Sequence, residues 1–377
     1  MLKGVHLTLM IGPVVPVPVP EAVLNALQSV QVNIGGDSKT PSGFELKFSL
    51  SNKGPLQTLF LLTGGSLPPI MRVILVVTLN GLPEVLIDGV ITQQKTQPGQ
   101  DPGQSVLTLT GVDLTAVMGL IDLDGVPYPA MPPEARVALI LAKYAWLGIV
   151  PMVIPSLLSD VPIPTQEIPR QQGHDLDYIN DLADKAGYVF YLNPGPVPGM
   201  STAYWGPEIR VGVPQPALNL DMDAARNVET LSFTFDADHK AMPIVYVQNP
   251  ETKIPIPIPI PDISPLSPPL GLFPPIPKQF PQLKDTAKLS PVQAILTGLV
   301  VAARSSDAVT GTGTLDVLRY GRLLKARQLV GVRGVGPAYD GLYYVKSVTH
   351  TIKVGEYKQN FTLVRNGLVS TFQQVPA

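Results

Sequence analysis

No cysteine occurs anywhere in the 377 residues. That absence excludes disulfide scaffolds, thiolate zinc sites and cysteine nucleophiles, and it mildly favours a reducing site of synthesis. Charge is scarce as well: Asp, Glu, Lys and Arg make up 15% of the chain and leave a formal net charge of -2. Phosphate contacts require clustered Lys and Arg, and there is no basic tail to supply them, so no nucleic-acid binding of its own is expected. Long apolar runs are missing too. The stretch Met1 to Pro20 is broken by Pro13, Pro16, Pro18 and Pro20 and has no small-residue cleavage pattern, which argues against a secretory signal. Trp146 to Ser159 is interrupted by Pro151 and Pro155, and it is too short to cross about 30 Å of hydrocarbon as a helix, so no membrane span is expected.

What the chain has instead is apolar surface and proline. With 45% apolar residues it has more to bury than charge to display, which fits several cores and further burial against partner subunits. Its 42 prolines are well above the roughly 5% of average proteins. They concentrate most strongly between Pro250 and Pro281, where Ile254 to Pro261 alternates isoleucine with proline. Every second residue there lacks an amide donor and has φ fixed, and each isoleucine before a proline is driven out of the α region, so the segment is expected to be extended. Isoleucine gains nothing from exposure. That favours a strap over residues 250–284, packed on its own domain or on a neighbour, against a mobile linker or a ligand-like segment. Val14 to Pro20 has the look of a smaller strap.

Elsewhere β patterns dominate. Phe44, Leu46, Phe48 and Leu50 alternate with polar residues as in a strand with one wet face. Met71 to Leu79 is apolar on both parities and predicts a strand covered on both sides. Val85 to Ile91 follows the turn-like Asn80-Gly81, and Val106 to Gly111 is a further strand. Two helices are predicted in the middle. Glu134 to Trp146 follows a double proline, and Asp175 to Ala186 carries an apolar stripe, with Asp175 near its start and Gly187 at its end. Tyr188 to Leu192 then predicts a strand, and Leu231, Phe233 and Phe235 reopen the β alternation. Leu342 to Val354 and Tyr357 to Val364 predict a hairpin turning at Gly355-Glu356. The apolar parity changes within the first of these runs, which places a β-bulge near Lys346 or Ser347. Gly311, Gly313, Gly331, Gly334 and Gly336 read as turns or bulges of a small barrel. The domain boundaries that follow are 1–125 for a first β-domain, 126–215 for a small α/β domain, 216–249 for strands returning to the sheet, 250–284 for the strap, and 285–377 for a second β-domain.

Candidates for chemistry are few. His6, His174, His239 and His350 form no HExxH and no close ligand set. His350 reads as a packed strand histidine, and His174 beside Asp175 and Asp177 is at most half a metal cluster. Asp122 with Asp124, and Asp181 with Asp184, are carboxylate pairs by spacing alone, which does not produce acid/base partners. Arg304, Arg319, Arg322, Lys325 and Arg327 make a modest basic region, read as a solvated or intersubunit face. No catalytic, cofactor-binding or metal residue is therefore assigned, and the chain is not expected to be an enzyme.

The segment from Gly341 to Asn366 resembles the closing hairpin of phage late-control protein D and its baseplate hub relatives, including the hub part of type VI spike proteins. Gly341, Tyr343, Val345, Val348, His350, Gly355, Tyr357, Leu363 and Arg365 fit that pattern, Gly321 to Val332 is similar to the barrel strands that precede it, and Gln166 to Tyr191 is similar to the family's middle unit. The resemblance implies a mainly β fold with a small α/β part, in which two small β-barrel domains per chain form a pseudo-sixfold ring in a homotrimer. It implies a structural adaptor between a hexameric inner tube protein and a trimeric spike, with baseplate wedge proteins as further partners. Because no needle follows before Ala377, the spike is expected to be a separate protein. Such a chain is assembled in the bacterial cytoplasm and becomes part of a phage tail or contractile injection particle. Two other readings stay open. One is a tail-associated carbohydrate- or peptidoglycan-degrading enzyme, and the other is a monomeric binding module that uses its Pro-rich strap.

Overall fold

The computed structural model describes residues 4–36, 40–50, 70–99, 105–120, 122–156, 161–165, 168–221, 225–238, 240–248, 254–261, 267–288 and 290–372. The N-terminal region contains β1 (Val5–Pro13), β2 (Val17–Pro18), the short helix α1 (Glu21–Asn25), β3 (Leu27–Ile34), β4 (Gly43–Leu50), β5 (Met71–Leu79), β6 (Leu82–Gln97) and β7 (Ser105–Asp113). They pair antiparallel in the order β2-β1-β5-β6-β7-β4-β3. Period-two alternation sets their faces: Phe44, Leu46 and Phe48 enter the core, while Glu45 and Lys47 reach solvent. Strand β5 is covered on both sides, as its composition predicts. Val73, Leu75 and Val77 join the main core, and Ile74 and Val76 pack with Val85 on the other face. Asn80 and Gly81 both have positive φ, 52° and 82°, the backbone of a two-residue turn whose twist suits a hairpin.

The middle of the chain builds a second core. It comprises α2 (Thr115–Met118), α3 (Pro133–Ala142), β8 (Ile149–Val153), α4 (Asp175–Ala186), β9 (Val189–Pro194) and β10 (Ser201–Gly206), with the strands ordered β8-β10-β9. Ile140, Ile179, Leu182, Phe190 and Trp205 meet there. Helix α4 has the predicted bounds and closes on Gly187 in the left-handed region. The helix predicted over Glu134 to Trp146 is shorter. It ends at Ala142, and a separate 3₁₀ turn, Ala145–Leu147, runs into Gly148 at φ 78°. A side chain at Gly148 would meet the carbonyl oxygen of Gly199, so close packing against the β9–β10 connection redirects the chain there.

The remaining elements are β11 (Gln215–Asn219), β12 (Val228–Phe235), β13 (Ile244–Gln248), β14 (Pro255–Pro259), β15 (Gly271–Phe273), β16 (Gln282–Leu283), α5 (Pro291–Arg304), β17 (Val309–Asp316), α6 (Val317–Tyr320), β18 (Leu329–Arg333), β19 (Gly341–Lys353), β20 (Glu356–Arg365) and β21 (Leu368–Ser370). Two closed barrels are the expectation from the family resemblance, but thirteen of the described strands form one open sheet. The reason is the length of β19. Its first residues pair with β18, its last six pair with β3, and β20 runs along its other side. The two halves of the sheet therefore share a ladder, and one core runs across it from Leu46 and Val73 to Val348 and Leu363. The turn between β19 and β20 consists of Val354 and Gly355, one residue before the predicted place. The predicted bulge is present: pairing shifts between Val345 and Ser347 and leaves Lys346 as the extra residue. This lets Tyr343, Val345 and Val348 all face inward.

Gly311 and Gly313 are not turns. Both lie within β17, where an added Cβ would come within 2.5 Å of a Phe233 ring carbon and 2.6 Å of a Phe361 ring carbon, respectively. The missing side chains are the space these rings occupy. Residues 216–249 divide, since β11 and β12 enter the large sheet while β13 pairs with β14 and β16 in a separate three-stranded sheet. That sheet holds one end of the Ile-Pro run: Ile260 is buried against Val245 and Gly298 of α5, and its amide donates to Pro243 at 2.9 Å, whereas Ile254 and Ile256 are exposed, contrary to the expectation that the isoleucines are packed. Ile256 and Ile258 share the parity of Ile260, so their amides turn toward β13, and Pro255, Pro257 and Pro259 present a donor-free outer edge.

Candidate functional site

Two charged residues in the apolar strands β5 and β6 form a buried clasp. The Arg72 guanidinium bonds Asp88 in bidentate fashion, Nε to Oδ1 and Nη2 to Oδ2, both at 2.7 Å. It also donates to the carbonyls of Leu147 at 2.9 Å, Gly199 at 3.1 Å and Val14 at 3.3 Å. Burial pushes the Asp88 carboxyl up, against the opposing effect of Arg72. The clasp joins the large sheet to the α/β unit. A second one is Arg210, which pairs with Glu208 and Asp307 and lies 5.0 Å from the Tyr344 ring centroid. Arg365 is fully buried, donates to the carbonyls of Gly367, Asp340 and Ala338, and stacks on Tyr343. Sequence reasoning missed the first two. The sequence signal of the first is a lone charge inside each of two otherwise apolar strands; Arg210 lies in the loop between β10 and β11 and has none.

Of the predicted candidates, Asp122 and Asp124 are brought beside His174, through a β-bridge between Asp122 and His174 and a hydrogen bond from the Gly173 amide to Asp124 Oδ1 at 3.2 Å, while the others lie apart. His350 is buried in β19, and its Nδ1 lies 2.8 Å from the Tyr357 hydroxyl. Burial lowers its pKa to about 3, and its Nε2 has no protein partner. His174 lies 3.2 Å from Asp177, one turn along, with both side chains solvent-accessible. His6 is on the exposed side of β1, and His239 lies outside the described residues. Asp175 does not cap α4. It is buried and accepts from Lys143 at 2.8 Å, Tyr144 at 2.7 Å and Gln171 at 2.7 Å. Asp122 accepts from the Asp124 amide at 3.0 Å in a local turn. Asp181 pairs with Lys185 and Asp184 with Arg304, so the two are used separately. Among the described residues no group of three or more His, Asp or Glu is placed to hold a metal ion.

Of the basic residues from 304 to 327, Arg304, Lys325 and Arg327 are drawn into contacts within the chain, while Arg319 and Arg322 are exposed. Lys325 pairs with Glu84, and Arg327 lies 3.9 Å from the Tyr191 ring centroid while donating to the carbonyl of Gly35. These contacts tie the segment after α6 to both the β5–β6 hairpin and the α/β sheet.

Two features of the large sheet remain unpartnered among the described residues. Strand β12 pairs only with β17, and Gln93 to Gln97 of β6 pair only with β7, so among the described residues the eight-strand run β12-β17-β20-β19-β3-β4-β7-β6 has an open edge at each end. The outward face of this run is lined by hydroxyls and amides in its centre, and Glu45, Lys47 and Lys95 continue the same face on β4 and β6. One cross-strand row reads Thr230, Thr314, Asn360, Thr349, Asn33, with Thr314 2.7 Å from Asn360 and Thr349 3.1 Å from Asn33. The next row reads Ser232, Thr312, Thr362, Ser347. Charge returns at the turn end, where Lys358 bridges Glu229 and Glu356.

Solved structures share this architecture over nearly the whole chain. A tail protein from Neisseria meningitidis MC58 matches with a TM-score of 0.63 and 13% identity, over 97% of this chain and 98% of that one. The chain has the fold of a phage-type tail protein. The 43 kDa tail protein of prophage MuSo2 from Shewanella oneidensis matches this tail-protein fold at a TM-score of 0.60 and 14% identity, over 96% and 98% of the two chains. An Escherichia coli component of the type VI secretion system, described as structurally similar to tail proteins of bacteriophage T4, matches at 0.51 and 12% identity over 93% and 75%. No family model and no curated protein sequence matches the chain. The tail-protein fold is thus kept by pattern and pairing at very low identity.

Proposed function

We propose that the chain is a structural baseplate hub protein of a contractile tail or contractile injection system, acting as a homotrimeric adaptor between a hexameric inner tube and a separate trimeric spike. The observation that carries this reading is the pair of open edges on the eight-strand antiparallel run. Eight is an even number, so β6 and β12 run in opposite directions. The β6 edge of one copy therefore suits the β12 edge of the next in the same antiparallel sense, with the polar face kept on one side. Such head-to-tail pairing is heterologous, and it closes into a ring when the rotation allows. Each copy brings two four-stranded quartets, β12-β17-β20-β19 and β3-β4-β7-β6, and three copies bring six, which matches a hexameric tube.

In this reading residues 1–125 and 285–377 form the ring, 126–215 the α/β buttress beside it, 216–249 the return to the sheet, and 250–284 the strap. Wedge proteins surround the ring. The chain is assembled in the bacterial cytoplasm, enters the particle there, and bears load without bond-making chemistry. The fold shared with tail and type VI proteins supports it. Native mass of the purified chain, followed by imaging of particles with this chain labelled, tests it. Three-chain mass and axial density between tube and spike are expected. A one-chain mass at every concentration, or density away from the axis, overturns it.

A further inference from the structure

We propose that a cavity beside residues 82–86 of β6 binds a small, uncharged ligand through a carbonyl oxygen, which accepts a hydrogen bond from Nε2 of His350. The cavity measures about 660 Å³, within the range of small-molecule sites. It lies where the β5–β6 hairpin, the end of β9 and the segment before β18 meet. Asn193, Lys325 and Gln328 stand exposed at its rim, whereas His350 is the one buried polar residue of the lining and shares its depth with Leu86, Leu323 and Leu324. The hydrogen bonds around the imidazole fix its tautomer. Gln359 accepts from the Leu324 amide at 2.9 Å and donates to the Leu324 carbonyl at 2.8 Å, so its amide nitrogen is the atom 3.5 Å from His350 Nδ1. The buried Tyr357 hydroxyl, 2.8 Å from Nδ1, has no other acceptor among the described residues. Nδ1 therefore accepts, and a neutral imidazole then carries its proton on Nε2. That N–H is buried without a protein acceptor, and an oxygen brought to it removes the penalty of an unmade bond. The nearby carbonyls of Leu324, Lys325 and Gln328 are already engaged by Gln359, Gln215 and Val345. Water is a poor substitute, because a buried water needs several polar partners and this floor offers one. The charges of the lining are used within the chain: Lys325 pairs with Glu84, and Arg327 serves the Tyr191 ring, the Gly35 carbonyl and Asp113. An anion over the leucines would lose more hydration than one neutral donor returns, whereas a carbonyl needs only that donor. The site lies within one chain and does not depend on the ring.

The test uses the full chain labelled with ¹⁵N-histidine, in which the His350 signals are those missing from His350→Leu. The probe is N-acetyl-leucine methylamide, a small molecule with carbonyl oxygens and an apolar side chain, and its acid, N-acetyl-leucine, is the charged comparison. The free protein is expected to show the Nε2–H tautomer at His350, and the amide probe should move that N–H signal saturably. Titration calorimetry should give binding about tenfold weaker in His350→Leu, the effect of relieving one buried donor, and weaker binding of the acid than of the amide. Thr202→Trp, which fills the cavity from β10 without touching His350, should abolish binding, and it decides the matter if His350→Leu does not fold. An Nδ1–H tautomer, or no saturable binding of the amide by the parent, overturns the proposal and leaves a hollow that holds water only. Undiminished binding in either folded variant overturns the placement at His350, and equal or tighter binding of the acid overturns the uncharged class. A one-chain mass would end the ring reading and leave each of these outcomes unchanged.

Discussion

Acidification from pH 7.5 to 5.0 is expected to cost the fold about 2 kcal/mol through His350 alone. Its imidazole is wholly buried and holds a pKa of about 3 in the folded chain, whereas an unfolded histidine titrates near 6.5. The folded-state value is depressed, so the unfolded chain takes up the proton first as pH falls. The stabilisation is complete above about pH 6.5 and is lost progressively down to about pH 3, at roughly 1.4 kcal/mol per pH unit in the middle of that window. Asp88 and Asp113, whose carboxyls burial pushes up, act in the opposite sense at the acid end, so a single titration of the parent protein mixes the contributions. The assay is therefore a comparison of slopes. Urea unfolding of parent and His350→Leu is followed at fixed protein concentration between pH 5.0 and 7.5. The variant loses the Tyr357 contact and is offset downward by a constant amount, but the difference between the two proteins should shrink by about 2 kcal/mol on acidification. A difference that stays constant across the range would refute the assignment of a neutral, buried imidazole.

Gly311→Val should destabilise the fold by about 1–3 kcal/mol through overpacking against Phe233, read as a lower urea midpoint with unchanged slope. Arg72→Met leaves Asp88 buried without its partner and is expected to cost about 3–5 kcal/mol, with much of the loss recovered in Arg72→Met/Asp88→Leu; no recovery in the double variant would show that the carbonyl contacts to Leu147 and Gly199 carry the effect. Replacing Pro255, Pro257 and Pro259 together by Thr restores donors to the outer edge of β14, and light scattering should then rise with concentration as strands add there; unchanged scattering would show that the edge is shielded by other means.

The sequence pattern was most legible where one residue decides the geometry. The parity change around Lys346 predicts the bulge, and Gly187 predicts the end of α4, because each has a local cause. The two-faced burial of β5 is likewise read directly from its composition. The union of the two halves was hidden, since nothing in β3 or β19 says that Val348 to Lys353 pair with a strand more than 300 positions earlier. The role of Gly311 and Gly313 was misread for a related reason: the rings that need their space come from Phe233 and Phe361, distant in the chain. Asp175 was assigned to its own helix because the sequence does not show that Lys143, Tyr144 and Gln171 converge on it. The candidate surface was legible in its letters, the repeated Thr-x-Thr of β17 and β19, but not in its extent, which depends on register across strands.

The long strand β19 also sets how the molecule answers a pull. One half of the large sheet hangs on its C-terminal residues through β3, and the other half is anchored along its opposite edge by β20. A load applied to the two halves along the strand direction is shared by all the rungs of both ladders at once, in shear, and they are not opened one after another as in peeling. Tearing the halves apart then requires the β3, β19 and β20 ladders to yield together, which makes the junction between the halves a seam built for tension.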